Sequence, residues 1–451
     1  MVKNTYYKRL FLIFFFTYFS ISIANIYVVT FIPFYFLEVI NVNRSSLAFI
    51  KLLISVPLLL PIFTGFLYDR YITNVKRLNL IFSIFFTISF LIFIVDPQNL
   101  SFFGAFYVVN LISQFMIRGG MTKIFMALTI TNKPHYTESI REFRIQVKNN
   151  FLLILNIGSI FGSTLTAIAS ICISNLREQS DWNMFFLCGF LFSLPIFISS
   201  MIFQKIKLPC LNPVSKIPTV RGKTKMTKRI KMKALYRFIP IFLLYMTFFL
   251  NDSSLLNMIY LSWFSERFGD VFIRTVFIFL PVSYVLMMIG NLFVARYLNK
   301  LRTLKKMSPE SLFCIIGILC KSFLILLVIL SANPFIVFFL FFILLPFLGS
   351  LETLSLASTA QKISQEGKHP TLRMQFISTA NSLASMIFSP IGLILSTIVS
   401  INHIFFIQLV FYGFSLIPIL LLSRGAEKTK RRKRKPPNLV LLEEFKELKK
   451  R

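Results

Sequence analysis

Long apolar runs alternate with short polar segments along most of the 451 residues of the chain. Twelve of these runs are about twenty residues long or longer, enough to cross roughly 30 Å of hydrocarbon. Inside lipid, every backbone polar group needs a partner within its own segment, so the runs are predicted to be α-helices. The twelve predicted spans are 10–37, 46–68, 78–95, 101–125, 148–173, 184–203, 238–264, 271–294, 310–331, 335–357, 375–399 and 403–422.

The composition supports an all-α integral membrane protein. Hydrophobic residues make up 56% of the chain, charged residues only 15%, and the mean hydropathy is +0.73. A soluble domain of this length could not bury so much apolar surface. The five cysteines show neither metal-ligand nor redox spacing, so we expect free thiols, no metal site and no cofactor.

The distribution of Lys and Arg predicts the orientation in the membrane. With the N-terminus inside, the segments on the inner side hold 41 basic residues and those on the outer side hold four. This asymmetry follows the positive-inside rule and places both termini in the cytoplasm. The net charge of +32 is therefore explained by topology, and we expect no nucleic acid partner.

Two basic segments divide the chain into four parts. We predict a six-helix bundle at 1–203, a cytoplasmic linker at 204–237, a second six-helix bundle at 238–423 and a cytoplasmic tail at 424–451. The linker carries eleven basic residues and no acidic one. Because both segments adjoin membrane spans, we expect them to attract the anionic lipid of the bilayer; the basic run in the tail also resembles a nuclear localisation signal.

The two predicted bundles resemble each other in sequence. Asn25 aligns with Asn251 at an offset of 226, and Gly120 aligns with Gly349 at an offset of 229. Polar residues and glycine are scarce in membrane spans, so their coincidence carries more weight than that of Leu or Phe. Since each half holds six spans, both copies would enter the membrane from the same side, as parallel repeats.

A charged turn after the second span points to one family. It consists of Gly65, Leu67, Asp69 and Arg70, followed by Lys76 and Arg77. This pattern resembles the turn between spans two and three of the major facilitator superfamily. The usual glycine two positions after the arginine is Ile72 here, and the copy in the second half has Val294 at the position of the aspartate. Arg118-Gly119-Gly120 is similar to a second signature of that family.

The resemblance implies a fold of two six-helix bundles that rock against each other, and it implies a gate on the inner side. In the family, the aspartate of this turn lies against the N-terminal end of span eleven, where it complements the helix dipole. The candidate residues of the cytoplasmic gate are Gly65, Asp69, Arg70, Gly290 and Arg296. The alternative is that these charges only fix the topology.

The charged residues within the predicted spans include Lys51, Arg118, Lys123, Asp252, Lys321 and Glu352. A charge at the bilayer centre costs about 2.5–3.5 kcal/mol on insertion scales, so such residues usually face a cavity or a partner. The resemblance implies that spans one, four, seven and ten line a central cavity. The candidate residues of the substrate or ion pathway are Asn25, Arg118, Lys123, Asn251, Asp252 and Glu352.

These residues suggest different roles. Asp252 is the first candidate for a proton carrier or a contact to substrate or cation; the alternative is an acid satisfied by neighbouring helices. Arg118 can bind an anionic group in a bidentate manner. Lys123 and Glu352 occupy equivalent positions and either pair across the halves or lie solvated at the inner interface.

The other two lysines in the spans are harder to interpret. Lys51 is expected to extend its amine toward the outer surface, because it lies only a few residues below it. Lys321 falls at the centre of span nine, which the resemblance places at the periphery of the bundle, and the sequence gives no account of it.

Taken together, the sequence predicts a secondary active transporter rather than an enzyme. Its partners would be a small organic solute, with a mild preference for an anionic one, and a proton. No phosphate-binding glycine-rich loop with Lys-Ser/Thr is present, so no ATP motor is encoded here. The alternatives are an exporter of hydrophobic compounds on the same fold and a non-transporting receptor or scaffold. We expect a monomer in the plasma membrane or an organelle membrane.

Overall fold

A computed structural model of the chain is a bundle of α-helices. The structure describes residues 2–72, 74–129, 138–171, 173, 178–206, 228–252, 255–256, 259–300, 308–331, 333–365 and 369–433. The helices before the linker are α1 (Val2–Ile26), α2 (Ile32–Glu38), α3 (Arg44–Ile54), α4 (Leu60–Arg70), α5 (Val75–Val95), α6 (Leu100–Thr129), α7 (Glu138–Ser170) and α8 (Gln179–Gln204).

The second half of the chain begins within the predicted linker, and its described residues form eight α-helices. They are α9 (Lys228–Asn251), α10 (Tyr260–Phe268), α11 (Asp270–Lys300), α12 (Pro309–Leu330), α13 (Pro334–Phe339), α14 (Leu345–Gln365), α15 (Pro370–Leu395) and α16 (Ile401–Lys433). Two π-helical turns join α1 to α2 and α13 to α14, at Tyr27–Phe31 and Leu340–Leu344. The predicted binding of anionic lipid by the linker and the tail rests on residues that lie largely outside the described part of the chain.

Ten helices among the described residues are long and apolar enough to cross a membrane, and they lie close to the predicted spans. Predicted span two is a pair of helices, Arg44–Ile54 and Val56–Arg70, bent by 43°. Pro57 lies in the 3₁₀ turn at this bend, where it cannot donate a helical hydrogen bond. The prediction of a continuous span seven is wrong, because α9 ends at Asn251 and α10 begins at Tyr260.

The surface of the bundle is that of a protein in lipid. Large apolar side chains point outward along the helices; Phe63, Val95 and Phe335 are 62%, 74% and 75% exposed. Exposure of so much apolar surface is unfavourable in water but not in lipid. Together with the ten long apolar helices, this surface makes the chain a multi-pass integral membrane protein.

Close helix packing within the first half depends on glycine. A Cβ atom on Gly158 or Gly162 of α7 would lie 2.6 or 2.2 Å from the carbonyl oxygens of Phe15 and Phe19 in α1. These two glycines are one helical turn apart, so they form one smooth face against which α1 packs. A hydrogen bond of 2.7 Å between the hydroxyls of Ser22 and Ser163 extends the same contact.

Helices of opposite halves pack against each other along two seams. Both segments of the bent span, α3 and α4, contact α15, and α7 contacts α11. The bent span begins at Arg44 at one end of the bundle and ends beside Asp69 at the other. We call these ends of the bundle the Arg44 end and the Asp69 end.

Candidate functional site

The interruption between α9 and α10 is held open by contacts from two other helices. The backbone N–H of Leu255 donates to the side-chain oxygen of Gln408 in α16, at 2.9 Å. A Cβ on Gly392 of α15 would lie 1.8 Å from the carbonyl oxygen of Leu255, so only glycine leaves room for this backbone. Asn251 ends α9 and Asp252 follows it; short polar side chains such as these compete for backbone hydrogen bonds and disfavour helix.

Asp252 lies at this interruption, is half-buried, and belongs to a group of charged residues in the second half. The ammonium of Lys321 in α12 and the carboxylate of Glu352 in α14 form an ion pair of 3.6 Å, and the Glu352 side chain is only 3% exposed. Asp252 interacts electrostatically with both. The Lys321 ammonium also lies 4.5 Å from the centre of the Tyr412 ring. We call Asp252, Lys321 and Glu352 the charged triad.

The structure therefore explains Lys321, for which the sequence offered no partner. Gly317 lies one helical turn before Lys321, and a Cβ there would be 2.9 Å from the Cβ of Glu352. The glycine lets α12 approach α14 closely enough for the ion pair to form. The group contains two carboxylates and one lysine. Full ionisation would leave one excess negative charge, which a proton or a bound cation can neutralise.

The two asparagines of the predicted pathway lie beside interruptions of regular helix. Asn25 is half-buried and precedes the π-helical turn Tyr27–Phe31 by two residues. Asn251 is the last residue of α9 and is 4% exposed, and its side-chain oxygen has no hydrogen-bond partner among the described residues. When the two halves are aligned at the offset of 226 between the asparagines, the π turn in span one and the interruption in span seven occupy equivalent positions.

Arg118 lies in α6, predicted span four, on a helix packed closely against its neighbours. Cβ atoms on Gly119 and Gly120 would meet Tyr68 at 2.7 Å and the side-chain oxygen of Asn79 at 2.5 Å. The two glycines thus serve packing. Arg118 itself interacts electrostatically with Tyr18, and its Nε atom, buried from solvent, has no hydrogen-bond partner in the described part of the chain.

Lys123 has a different surrounding from the one expected for a pathway residue. Its ammonium donates to the carbonyl oxygens of Tyr68 and Ile72, both at 2.6 Å. These are carbonyls at the C-terminal end of α4, where a positive charge is favourable. The structure does not bring Lys123 to Glu352, since each has its own partner.

Asp69 joins the two halves as the resemblance implies. Its carboxylate accepts a hydrogen bond of 2.9 Å from the backbone N–H of Leu372, in the first turn of α15. The same helix is predicted span eleven. A Cβ on Gly65 would lie 2.9 Å from the Cα of Leu372 and 3.0 Å from the Cβ of Gln375. Gly65 therefore lets α4 lie directly against α15 at the Asp69 end.

Three glutamines add neutral hydrogen bonds between the halves near the Asp69 end. The side-chain amide of Gln375 donates to the Thr122 hydroxyl at 3.0 Å. The amides of Gln361 and Gln365 donate to the Thr129 hydroxyl at 2.8 and 2.9 Å. These residues were not among the sites predicted from the sequence. The signal was the spacing of two glutamines four residues apart, which places both on one helix face.

The other proposed gate residues do not contact the opposite half in the same way. Arg70 is exposed, and its guanidinium lies 5.6 Å from the Phe66 ring and 5.5 Å from the Tyr71 ring. A Cβ on Gly290 in α11 would meet the Ser350 hydroxyl of α14 at 2.0 Å, so this glycine serves packing within the second half. Arg296 is exposed on α11.

Side-chain contacts also join the halves at the Arg44 end, where the sequence gave no prediction. Arg44 forms a salt bridge with Glu266 at the end of α10. Tyr260, the first residue after the interruption in span seven, forms a side-chain hydrogen bond with Thr30 in the π turn of span one. The halves are thus connected at both ends of the bundle. Among the described residues, no group of His, Cys, Asp and Glu is arranged to hold a metal ion.

Neither a protein family nor a curated protein matches the sequence. Solved structures match the fold. The nucleoside transporter NupG has a TM-score of 0.57 at 12% identity, with 92% of this chain and 98% of that one covered. A mutant of the peptide transporter POT in complex with alafosfalin has a TM-score of 0.62 at 13% identity, with 94% and 95% covered.

A bacterial homologue of the human lysosomal transporter Spinster, in an inward-facing conformation, has a TM-score of 0.58 at 12% identity, with 93% and 97% covered. These proteins are transporters of the major facilitator fold, not enzymes, and the chain shares that fold over nearly its whole length.

Proposed function

On the premise of this shared fold, we propose that the chain is a secondary active transporter of a small organic solute, driven by protons through alternating access. The proposal includes twelve spans in two parallel repeats, with the Asp69 end and both termini in the cytoplasm. The ten long apolar helices of the described residues, with a bent span two and an interrupted span seven, support this arrangement. So does the excess of basic residues in the segments assigned to the inner side.

The charged triad carries the proposal of proton coupling. The triad contains two carboxylates and one lysine, Glu352 is almost fully buried, and Asp252 interacts electrostatically with both other members. A buried charge without a partner is costly, so the second carboxylate favours a proton when no other cation is near. Asp252 is the candidate for that proton, because Glu352 forms the ion pair with Lys321. A group that exchanges a proton beside an interrupted helix can couple protonation to movement of that helix.

Contacts at both ends of the bundle supply the parts that alternating access needs. The Asp69 end is joined by the hydrogen bond from Leu372 to Asp69 and by the glutamine contacts to Thr122 and Thr129. The Arg44 end is joined by the salt bridge to Glu266. In the proposed cycle, one set of contacts breaks while the other holds, so that the site opens to one side at a time.

The proposed substrate class is a small polar organic solute. NupG is a nucleoside transporter, and POT is a peptide transporter that was captured with alafosfalin. The preference for an anionic solute now rests on Arg118 alone, because Lys123 is occupied by carbonyl oxygens of α4. The Arg118 Nε has no hydrogen-bond partner among the described residues, and Arg118 lies on a span that the family resemblance places at the cavity.

The test is a proton-flux assay in proteoliposomes that contain a pH-sensitive dye. Mixtures of dipeptides, nucleosides and small organic acids are added outside, and solute-induced acidification is recorded. We expect at least one class to produce acidification. Asp252→Asn should abolish it while exchange of the same radiolabelled solute across the membrane persists. Asp96→Asn, in the connection between α5 and α6, is the matched control and should behave like the wild type.

Unchanged acidification in Asp252→Asn would refute the coupling role. Hydrophobic cations are added in a separate run; acidification with them, and with none of the polar classes, would favour the exporter on the same fold. Absence of any solute exchange in a folded, reconstituted protein would refute transport and favour a receptor or scaffold.

A further inference from the structure

The two π-helical turns are each followed by a proline at the same distance. In the first turn the N–H of Ile32 donates to the carbonyl of Tyr27, five residues back, and Pro33 follows. In the second turn the N–H of Leu345 donates to the carbonyl of Leu340, and Pro346 follows. In both turns, therefore, a shift from four-residue to five-residue hydrogen bonding comes just before a residue without an N–H.

This arrangement leaves one carbonyl in each turn without a helical donor. The carbonyl of Val28 would accept from Ile32 in an α-helix, but Ile32 donates to Tyr27. It would accept from residue 33 in a π-helix, but Pro33 has no N–H. The carbonyl of Phe341 in span ten is left in the same way by Pro346. A carbonyl without a partner within the membrane is strongly unfavourable.

Lys51 supplies the missing donor to Val28. Its ammonium lies 3.5 Å from the Val28 carbonyl oxygen and 3.9 Å from the centre of the Tyr107 ring. The side chain is buried, with the residue 5% exposed, so the expectation that it extends to the outer surface is wrong. No described carboxylate pairs with it. The π turn in span ten has no such lysine in the part of the chain that the structure describes.

The π turn that Lys51 of α3 contacts also forms hydrogen bonds to α8 and α10. The Tyr27 hydroxyl donates to the carbonyl of Phe185 in α8 at 2.6 Å. Thr30 hydrogen-bonds to Tyr260 in α10, across the boundary between the halves. Thr30 lies in the same five-residue turn as Val28, the residue that Lys51 contacts. The position of Thr30 therefore depends on the geometry of that turn.

We propose that Lys51 is a positioning residue for closure of the Arg44 end. Its ammonium replaces the N–H that Pro33 lacks, fixes the π turn of span one and so holds Thr30 against Tyr260. The role rests on the proposed function in so far as this closure is a step of transport. The conformation at the Arg44 end can nevertheless be measured without any transported solute, so the two can fail separately.

The test uses distances between spin labels on purified protein in lipid nanodiscs. Labels are attached to Gln98→Cys and Asn402→Cys, exposed positions in the first and second halves near the Arg44 end, after replacement of the native cysteines. Lys51→Met should raise the ratio of open to closed conformations roughly tenfold, because a buried acceptor loses its donor. Lys51→Arg keeps a donor and should stay near the wild type.

A second substitution decides whether Val28 is the reason. Pro33→Ala returns an N–H to span one, so Lys51→Met with Pro33→Ala should return to within about twofold of the wild-type ratio. The matched control is Lys51→Met with Pro346→Ala, which makes the same chemical change in span ten and should not restore closure. A second label pair at the Asp69 end should show no comparable opening in Lys51→Met.

Each outcome decides the proposal. A folded Lys51→Met protein with wild-type distances overturns it, as does equal rescue by Pro33→Ala and Pro346→Ala. If Lys51→Met does not fold alone but folds with Pro33→Ala, the pairing of Lys51 with the freed carbonyl is supported. If neither folds, Lys51 has another structural role, and the proposal is wrong.

Discussion

Replacement of Asp69 by asparagine should open the Asp69 end of the bundle. The carboxylate accepts a hydrogen bond of 2.9 Å from Leu372 in the first turn of α15. A hydrogen bond to a charged group contributes about 1.5–3 kcal/mol, and one between neutral groups about 0.5–1.5 kcal/mol. Asparagine keeps an acceptor oxygen but loses the charge, including its interaction with the positive end of the helix dipole, which contributes about 0.3–1 kcal/mol.

The difference is about 1–2 kcal/mol, which corresponds to a roughly 5- to 30-fold rise in the ratio of open to closed conformations. Spin labels on Tyr71→Cys and Lys362→Cys, exposed positions in the two halves, report the distance across this end. Val294→Ala is the matched control, because Val294 occupies the position of Asp69 in the second-half copy. It is fully buried in α11, so its truncation should lower thermal stability without opening the Asp69 end.

The assay also tests the asymmetry between the two copies of the turn. Asp69→Ala removes the acceptor altogether and should open the end further than Asp69→Asn does. If Asp69→Asn leaves the distance distribution unchanged, or if Val294→Ala opens the end to the same extent, then Asp69 is not part of the gate and its charge only contributes to topology.

Three further results are expected. Gly392→Ala should prevent folding, because its Cβ would lie 1.8 Å from a carbonyl oxygen in the interruption of span seven. The control Gly413→Ala, whose Cβ would have nothing within 4 Å, should be tolerated. Equal thermal stability of the two variants would contradict the packing argument. Lys321→Met should lower the free energy of unfolding by about 3–5 kcal/mol, because it leaves the buried Glu352 carboxylate unpaired. Addition of Glu352→Met should recover most of that loss. A double variant no more stable than the single one would count against the ion pair. Arg44→Gln should weaken closure of the Arg44 end by at most about 1 kcal/mol in low salt and have no effect in molar salt. The spin labels at positions 98 and 402 measure this closure. An effect that persists in high salt would rule out a simple surface ion pair.

The architecture could be predicted because the signal is repeated along the chain. Apolar runs of sufficient length occur at every predicted span, and each can be interpreted without knowing its neighbours. The contact of Asp69 with the start of α15 was implied by a short motif whose residue types fit the chemistry of a helix N-terminus. Here the prediction from the sequence and the structure agree because the interaction is set by the local sequence and one helix end.

The missed features depend on how helices lie against each other. Lys321 meets Glu352 only because Gly317 brings α12 close to α14, which a single helix does not reveal. The interruption in span seven is stabilised by Gln408, more than 150 residues away. The polar run that begins at Asn251 was visible in the sequence, but the apolar residues around it concealed the break.

Lys321 and Glu352 also have a consequence for how the protein enters the membrane. A lysine at the centre of a helix makes insertion of that helix alone unfavourable by about 2.5–3.5 kcal/mol. Its partner lies on the next part of the chain, since α12 ends at Leu330 and α13 begins at Pro334. The two spans can therefore leave the insertion machinery as a hairpin in which each charge already has its counter-ion. Order of synthesis, as well as final packing, favours placing this pair on consecutive spans.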